Sequence, residues 1–171
     1  MVMLLRRGFT LVELSIVLVI VGLVVGGVMV GQHMVRQGEF MSVYTDYEKF
    51  RSAARQFKSS YGGLPGDISD AQNIWGAAAA CPGTLGTTTP GTGTCNGNGN
   101  GLLESRSSNG GLSDEPFTFW QHLVLAGLLE GAYTGIAGPA SDTDAVNGVS
   151  SPTSRIANAG YSMMGAHYLL P

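Results

Sequence analysis

The sequence predicts an α+β protein in which a long N-terminal helical stem packs on a small, loop-rich C-terminal head. Three observations predict this fold class. An apolar run occupies residues 9–30, an amphipathic pattern continues over residues 31–61, and residues 80–111 are rich in Gly, Thr, Asn, Ser and Pro without any periodicity. Residues 62–171 therefore form the predicted head, which is loop-rich and contains short helical segments.

The apolar run is long enough to cross a membrane. Its 22 residues would span ~33 Å as an α-helix at ~1.5 Å per residue, which matches a hydrocarbon core of ~30 Å. Arg6 and Arg7 precede it without any acidic residue, a bias that keeps this end in the cytoplasm. Residues 31–34 lack the small-residue pattern of a secretory cleavage site, so we expect the run to stay in the mature protein.

Glu13 is the unusual residue of this run. A carboxylate in an apolar helix costs roughly 2.5–3.5 kcal/mol near the bilayer centre, and less near the end of the segment, where Glu13 lies. Such residues usually have a function, although a carboxylate at the membrane interface is the simpler interpretation.

Residues 8–14 read Gly-Phe-Thr-Leu-Val-Glu-Leu behind a short basic leader. This segment resembles the prepilin cleavage and methylation motif of type IV pilins and type II secretion pseudopilins. The resemblance implies that prepilin peptidase cuts between Gly8 and Phe9, removes the leader 1–8, and leaves a Phe9 amine that is N-methylated. It also implies assembly through the helix, with Glu13 pairing with the Phe9 amine of a neighbouring subunit.

The partners that the resemblance implies are prepilin peptidase, an inner-membrane assembly machinery and other copies of the chain in a helical filament. The precursor would lie in the bacterial inner membrane, and the product in an extracellular pilus. The closest alternative is a pseudopilin of a type II secretion system, whose filament stays periplasmic. A third alternative is a single-pass membrane protein with a binding head that never polymerises. Adhesion, motility, DNA uptake and conductivity all remain open as roles, and so does the choice between a major and a minor subunit.

Four glycines interrupt the apolar half of the stem. Gly22 with Gly26, and Gly27 with Gly31, form two G-x-x-x-G spacings that allow helices to approach closely in lipid. Local softening of the helix is an equal alternative, because each glycine costs about 1 kcal/mol of helix propensity. Many pilins that the chain resembles carry a proline near the position of Val30, which this chain lacks.

The second half of the stem carries an apolar stripe at steps of three and four residues. Its members are Phe40, Val43, Tyr44, Tyr47, Phe50, Ala54, Phe57 and Tyr61. We interpret the stripe as a packing face, continuous with the apolar half because no proline occurs between Phe9 and Tyr61. Residues 62–65, Gly-Gly-Leu-Pro, end the helix.

Two shorter helices are predicted in the head. Asp67 is placed to cap the first, which carries Ala71, Ile74 and Trp75. The second begins at Ser113-Asp114-Glu115, which places capping residues and acids at its start, with Pro116 in its first turn, and Gly127 or Gly131 ends it. Its apolar face is Phe117, Trp120, Leu123, Val124 and Leu128. We expect Trp120 and Leu123 to pack on the stem.

A small antiparallel sheet usually packs on the stem of the pilins that the chain resembles. The sequence gives little indication of one, apart from a short strand candidate over residues 161–170.

Cys81 and Cys95 are an even pair in a domain predicted to be exported, which indicates a disulfide that stabilises the head by roughly 3 kcal/mol. The alternative is two reduced thiols, if the head stays in the cytoplasm.

Residues 96–101 alternate Asn and Gly, a pattern that weakly resembles the start of a calcium loop. The candidate ligands are Asn96, Asn98, Asn100 and Glu104. No carboxylate occupies the first ligand positions, so successive Asn-Gly turns are the stronger interpretation. Calcium is the sole candidate cofactor.

No enzyme activity is expected. His33, His122 and His167 lie far apart in sequence, and no nucleophile, paired-carboxylate or phosphate-loop motif occurs. His122 is interpreted as a surface or packing residue. From Tyr61 onward two basic residues oppose eight acidic ones, a net charge of −6, and this acidity argues against nucleic acid as a specific partner.

Overall fold

A computed structural model of the chain describes residues 8–78, 81, 93–105 and 114–163. The chain divides into two compact units, Met1–Ser42 and Val43–Pro171. Among the described residues there are three helices in the order α1 (Leu11–Tyr61), α2 (Ala71–Trp75) and α3 (Glu115–Leu125). The predicted class, a long N-terminal helix followed by a loop-rich part with short helices, is confirmed.

The first unit consists of the apolar part of α1. Helix α1 has 51 residues and begins at Leu11, two residues after Phe9. Every residue from 8 to 38 is exposed in the single chain, so nothing in this unit covers the apolar side chains. Such a helix has no core of its own and needs lipid or other helices around it.

The second unit is built on the amphipathic part of α1. The buried residues of α1 are Ala53, Ala54 and Phe57, and α3 contributes Trp120, the largest fully buried side chain among the described residues. The core cluster consists of Ala53, Ala54, Phe57, Ile68, Ala71, Leu103, Phe119, Trp120, Leu123 and Leu129. The ring centroids of Phe50 and Trp120 lie 5.0 Å apart in an edge-to-face arrangement. The expectation that Trp120 and Leu123 pack on the stem is therefore confirmed.

Asp67 does not cap α2, which corrects the sequence prediction. The residue before α2 is Asp70, and its side chain makes no capping hydrogen bond. Asp67 is buried instead, and its two carboxylate oxygens accept hydrogen bonds from the backbone N–H groups of Asn100 (3.0 Å) and Gly101 (2.8 Å). Asp67, which the sequence placed at the start of a helix, thus binds the backbone of a loop more than thirty positions further along the chain.

Helix α3 starts where the sequence predicted but without the predicted cap. Asp114 precedes the helix and makes no side-chain capping bond, whereas Pro116 occupies the first turn. The Asp114 carboxylate accepts a hydrogen bond from the backbone N–H of Ala137 at 3.1 Å. Helix α3 ends at Leu125, and Gly127 follows with φ of 70°, so Gly127 rather than Gly131 marks the end.

The antiparallel sheet is not confirmed. In the described ranges the β-pairing consists of isolated bridges, Ala77 with Thr94, Asn147 with Ser151, and Thr153 with Gly160. Of the strand candidate over residues 161–170, the first three residues form no strand, and the remainder lies outside the described residues.

A buried chain of hydrogen bonds passes through His122. The Gly66 N–H donates to His122 Nδ1 at 2.8 Å, and His122 Nε2 lies 3.0 Å from Thr94 Oγ1. Because Nδ1 accepts, the neutral ring carries its proton on Nε2 and donates it to Thr94. Thr94 Oγ1 then donates to Gln121 Oε1 at 2.6 Å, and Gln121 Nε2 donates to the carbonyl of Thr134 at 3.3 Å. These hydrogen bonds connect the loops that contain Gly66, Thr94 and Thr134 to α3.

Candidate functional site

The start of α1 is closed by reciprocal hydrogen bonds between Thr10 and Glu13. The Thr10 N–H and Thr10 Oγ1 both donate to Glu13 Oε2 at 2.8 Å, and the Glu13 N–H donates to Thr10 Oγ1 at 3.3 Å. This is a capping box, in which two otherwise unsatisfied donors of the helix N-terminus are satisfied together. Sequence reasoning missed it, although the Thr-x-x-Glu spacing is its known pattern.

The capping box leaves Glu13 available to another molecule. Both bonds from Thr10 end on Oε2, and Oε1 takes no part in the box. Glu13 is exposed in the single chain, on a helix whose neighbouring side chains Val12 and Leu14 are also exposed. The carboxylate therefore sits where a cation of a second chain can reach it.

The four stem glycines face open space in the single chain. A Cβ added at Gly22, Gly26, Gly27 or Gly31 would meet nothing within 4 Å. No contact within the first unit thus explains why these positions are glycine. Their assignment to helix packing stays a prediction.

Three of the four candidate calcium residues, Asn98, Asn100 and Glu104, come together, but through hydrogen bonds with one another. Asn98 Nδ2 and Asn100 Nδ2 donate to Glu104 Oε2 at 2.9 and 2.7 Å. The Asn98 and Asn100 side-chain oxygens accept the backbone N–H two residues onward, as in Asx turns. The Asn96 oxygen accepts from the Gln72 N–H at 2.8 Å. In this arrangement the amide oxygens are directed at backbone donors.

Glu115 also accepts hydrogen bonds from the backbone of this loop. Its two carboxylate oxygens accept the backbone N–H groups of Asn98 (3.0 Å) and Glu104 (2.8 Å), and the residue is fully buried. Sequence reasoning interpreted Glu115 as a helix-start acid and missed this role, because the pairing joins distant segments. Within the described ranges, no group of three or more His, Cys, Asp and Glu side chains is placed to hold a metal ion. Calcium binding stays a prediction.

The predicted disulfide is present. Cys81 and Cys95 are bonded, with their Cα atoms 5.6 Å apart, a usual spacing for a disulfide. The Thr94 backbone next to Cys95 pairs with the segment at Ala77, since the Ala78 N–H donates to the Thr94 carbonyl at 2.9 Å. The disulfide therefore adds a covalent link beside the isolated β-bridge between Ala77 and Thr94.

The histidines form no common site among the described residues. His33 lies on the exposed part of α1, His122 is fully buried, and His167 lies outside the described residues. Burial lowers the pKa of His122 to about 3, so the ring is neutral at physiological pH. His122 is thus a packing residue of the buried hydrogen-bond chain and not a surface residue.

A comparison with known protein families identifies a motif in the N-terminal segment. A family model, the prokaryotic N-terminal methylation motif, matches residues 3–29. The chain carries a prepilin motif like that of type IV pilins and pseudopilins. This family is a structural motif of pilin-type subunits and not an enzyme family, and it implies processing by a prepilin peptidase and assembly into a pilus-type filament. No curated protein and no solved structure matches the chain.

The helix that carries the prepilin motif is long and apolar enough to cross a membrane by length and composition. Together with the prepilin motif it fits a membrane-anchored precursor. The matched segment includes Gly8, Phe9 and Glu13, so the residues assigned to processing and assembly all lie within it.

Proposed function

We propose that this chain is a structural subunit of a type IV pilus or pilus-like filament, assembled through the apolar half of α1. The observation that supports this is the uncovered apolar helix behind a prepilin motif: residues 8–38 are exposed in the single chain, and the motif covers residues 3–29. A helix of this kind is stable in lipid before assembly and between other helices afterwards.

Cleavage between Gly8 and Phe9 would prepare the subunit for assembly. It creates a cationic amine at Phe9, which is 80% exposed, four residues before Glu13. The capping box survives this cut, because the Thr10 N–H and Oγ1 both lie after it. The mature helix therefore begins with an intact cap and a free amine next to it.

In the filament, Glu13 would pair with the Phe9 amine of a neighbouring subunit. A carboxylate among apolar helices is heavily penalised when unpaired, so one axial register would be favoured. The glycine spacings at Gly22/Gly26 and Gly27/Gly31 would let neighbouring stems approach closely along the same interface. Prepilin peptidase and an inner-membrane assembly machinery are the partners that this route requires.

The test is to shear surface filaments from the native cells, identify this chain by mass spectrometry and read its N-terminus. Long filaments that contain the chain, beginning with methylated Phe9, would support the pilus. An abundant inner-membrane protein, measured in the same fraction, controls for broken cells. Processed chain that stays in the envelope and is missing from sheared filaments would indicate the type II secretion pseudopilin instead. Retention of residues 1–8 would contradict both.

A further inference from the structure

An apolar groove of about 430 Å³ lies in the second unit, between the amphipathic part of α1 and the N-terminal half of α3. Its walls are largely aromatic, formed by Tyr47, Phe50, Phe119 and Trp120, with Met163 also contributing. Ligand pockets in proteins typically have volumes of roughly 300–1,000 Å³ and similar apolar linings. The groove is thus large enough for a small organic ligand.

The charges that line the groove are all positive among the described residues. Arg51 and Lys58 contribute to the lining, and no Asp or Glu does. Arg51 pairs with Glu48 on the same helix at 3.5 Å, whereas Lys58 takes part in no ion pair within the described part of the chain. This is notable in a chain whose residues from Tyr61 onward carry a net charge of −6. The lining therefore favours an anionic ligand over a cationic one.

We propose that this groove binds an aliphatic carboxylate. The aromatic walls would cover the hydrocarbon chain, and Lys58 would pair with the carboxylate. At about 30 Å³ for each water-sized group, the volume holds roughly 14 non-hydrogen atoms, that is, a carboxylate of about a dozen carbons. This site lies in the second unit and does not depend on whether the chain assembles into filaments.

The probe is dodecanoate, added to the full-length chain in lipid nanodiscs at mildly alkaline pH. A Trp75→Phe variant leaves Trp120 as the sole tryptophan, whose emission reports on the groove. Dodecanol, with the same chain length and no charge, controls for partition into lipid. Ser162→Glu places an acid in the lining at an exposed position, and Ser162→Gln is its matched neutral control.

We expect a saturable change of Trp120 emission with dodecanoate, weakened roughly three- to tenfold by Lys58→Gln and by Ser162→Glu but not by Ser162→Gln. An equal emission change with dodecanol overturns the proposal. So does a response to dodecanoate that Lys58→Gln and Ser162→Glu leave unchanged. A shift that follows protein concentration without dodecanoate assigns the groove to a second copy and also overturns it. So does binding that appears only after residues 164–171 are deleted. A photoreactive fatty acid, cross-linked to the unsubstituted chain and mapped by mass spectrometry, gives an independent reading that does not rely on Trp75→Phe.

Discussion

Glu13 Oε2 accepts two hydrogen bonds from Thr10, one from its backbone N–H and one from Oγ1, each 2.8 Å long. Glu13 therefore has a role inside one subunit before it meets any other, since it closes the N-terminus of α1. An alanine at this position removes the cap and the charge together. A sharper test has to separate the two.

Glu13→Gln makes this separation, because glutamine also serves in a capping box but carries no charge. We expect the variant to insert into the membrane and to keep the helix start, while filament yield falls by about tenfold or more through loss of the pair with the Phe9 amine. Yield is measured by shearing and immunoblotting. Thr10→Ala is the matched control: it costs about 1 kcal/mol of capping but keeps the charge, so filaments persist. Normal filament yield from Glu13→Gln would contradict the pairing.

Gly22→Leu tests the glycine spacings. Because a Cβ added at Gly22 would meet nothing within 4 Å in the single chain, we expect any defect to arise from contacts with other molecules. We expect unchanged or higher helicity, from a gain of roughly 0.8–1 kcal/mol in helix propensity, together with reduced assembly. Val24→Leu is the control, since it adds bulk at an exposed site outside both spacings. Circular dichroism in detergent and filament yield are the two measurements. Equal yields from the two variants would favour helix softening as the reason for the glycines.

His122 makes the stability of the second unit depend on pH. Its folded-state pKa of about 3 lies below the ordinary value of about 6.5, so the unfolded chain binds the proton more readily. The stabilisation is complete above pH ~6.5 and is lost as the pH falls toward 3, by about 2 kcal/mol at pH ~5. Urea unfolding of the full-length chain in detergent, followed by tryptophan emission, measures it.

His122→Asn is the control for this pH dependence. Asparagine can still offer an acceptor to the Gly66 N–H but does not titrate. The variant should be less stable at neutral pH and should lose this part of the slope between neutral and mildly acidic pH. If the slope of His122→Asn equals that of the unsubstituted chain, other groups cause it.

Gly66→Ala should destabilise the second unit by about 2–4 kcal/mol. Gly66 has φ of 89°, and a Cβ there would press on the Glu115 carbonyl and lie 2.9 Å from the Phe119 nitrogen, both in the backbone of α3. Gly62 also has positive φ, 77°, but nothing within 4 Å, so Gly62→Ala should cost only about 1 kcal/mol. Urea midpoints compare the two. Equal losses would show that backbone strain alone acts at Gly66.

Breaking the disulfide should destabilise the head by roughly 3 kcal/mol, since it closes a short loop with a sequence separation of 14. The measurement is the unfolding midpoint of a Cys81→Ser/Cys95→Ser variant against the oxidised chain. Dithiothreitol should lower the midpoint of the unsubstituted chain to that of the double variant and should leave the double variant unchanged. A response of the double variant to dithiothreitol would point to another cause.

The predictions that held depend on local periodicity. The run from Leu11 to Tyr61 contains no proline and carries helical spacing throughout its amphipathic half, so neighbouring residues suffice to predict the helix. The same holds for the face of α3 that places Trp120 and Leu123 in the core. Asp67 and Asp114 were misassigned as helix caps because their sequence positions suited that role, whereas their actual partners, Asn100, Gly101 and Ala137, are distant in the chain.

The sequence by itself determined the long stem, its exposed apolar half and the prepilin motif, because each depends on the order and spacing of nearby residues. Tertiary structure alone decided where the carboxylates of the head go, that His122 is buried and neutral, and that Arg51 and Lys58 share a groove with Trp120. The physical reason is that in a head with little regular structure, buried N–H groups still need acceptors. Which side chain supplies each acceptor depends on which loops the fold brings together.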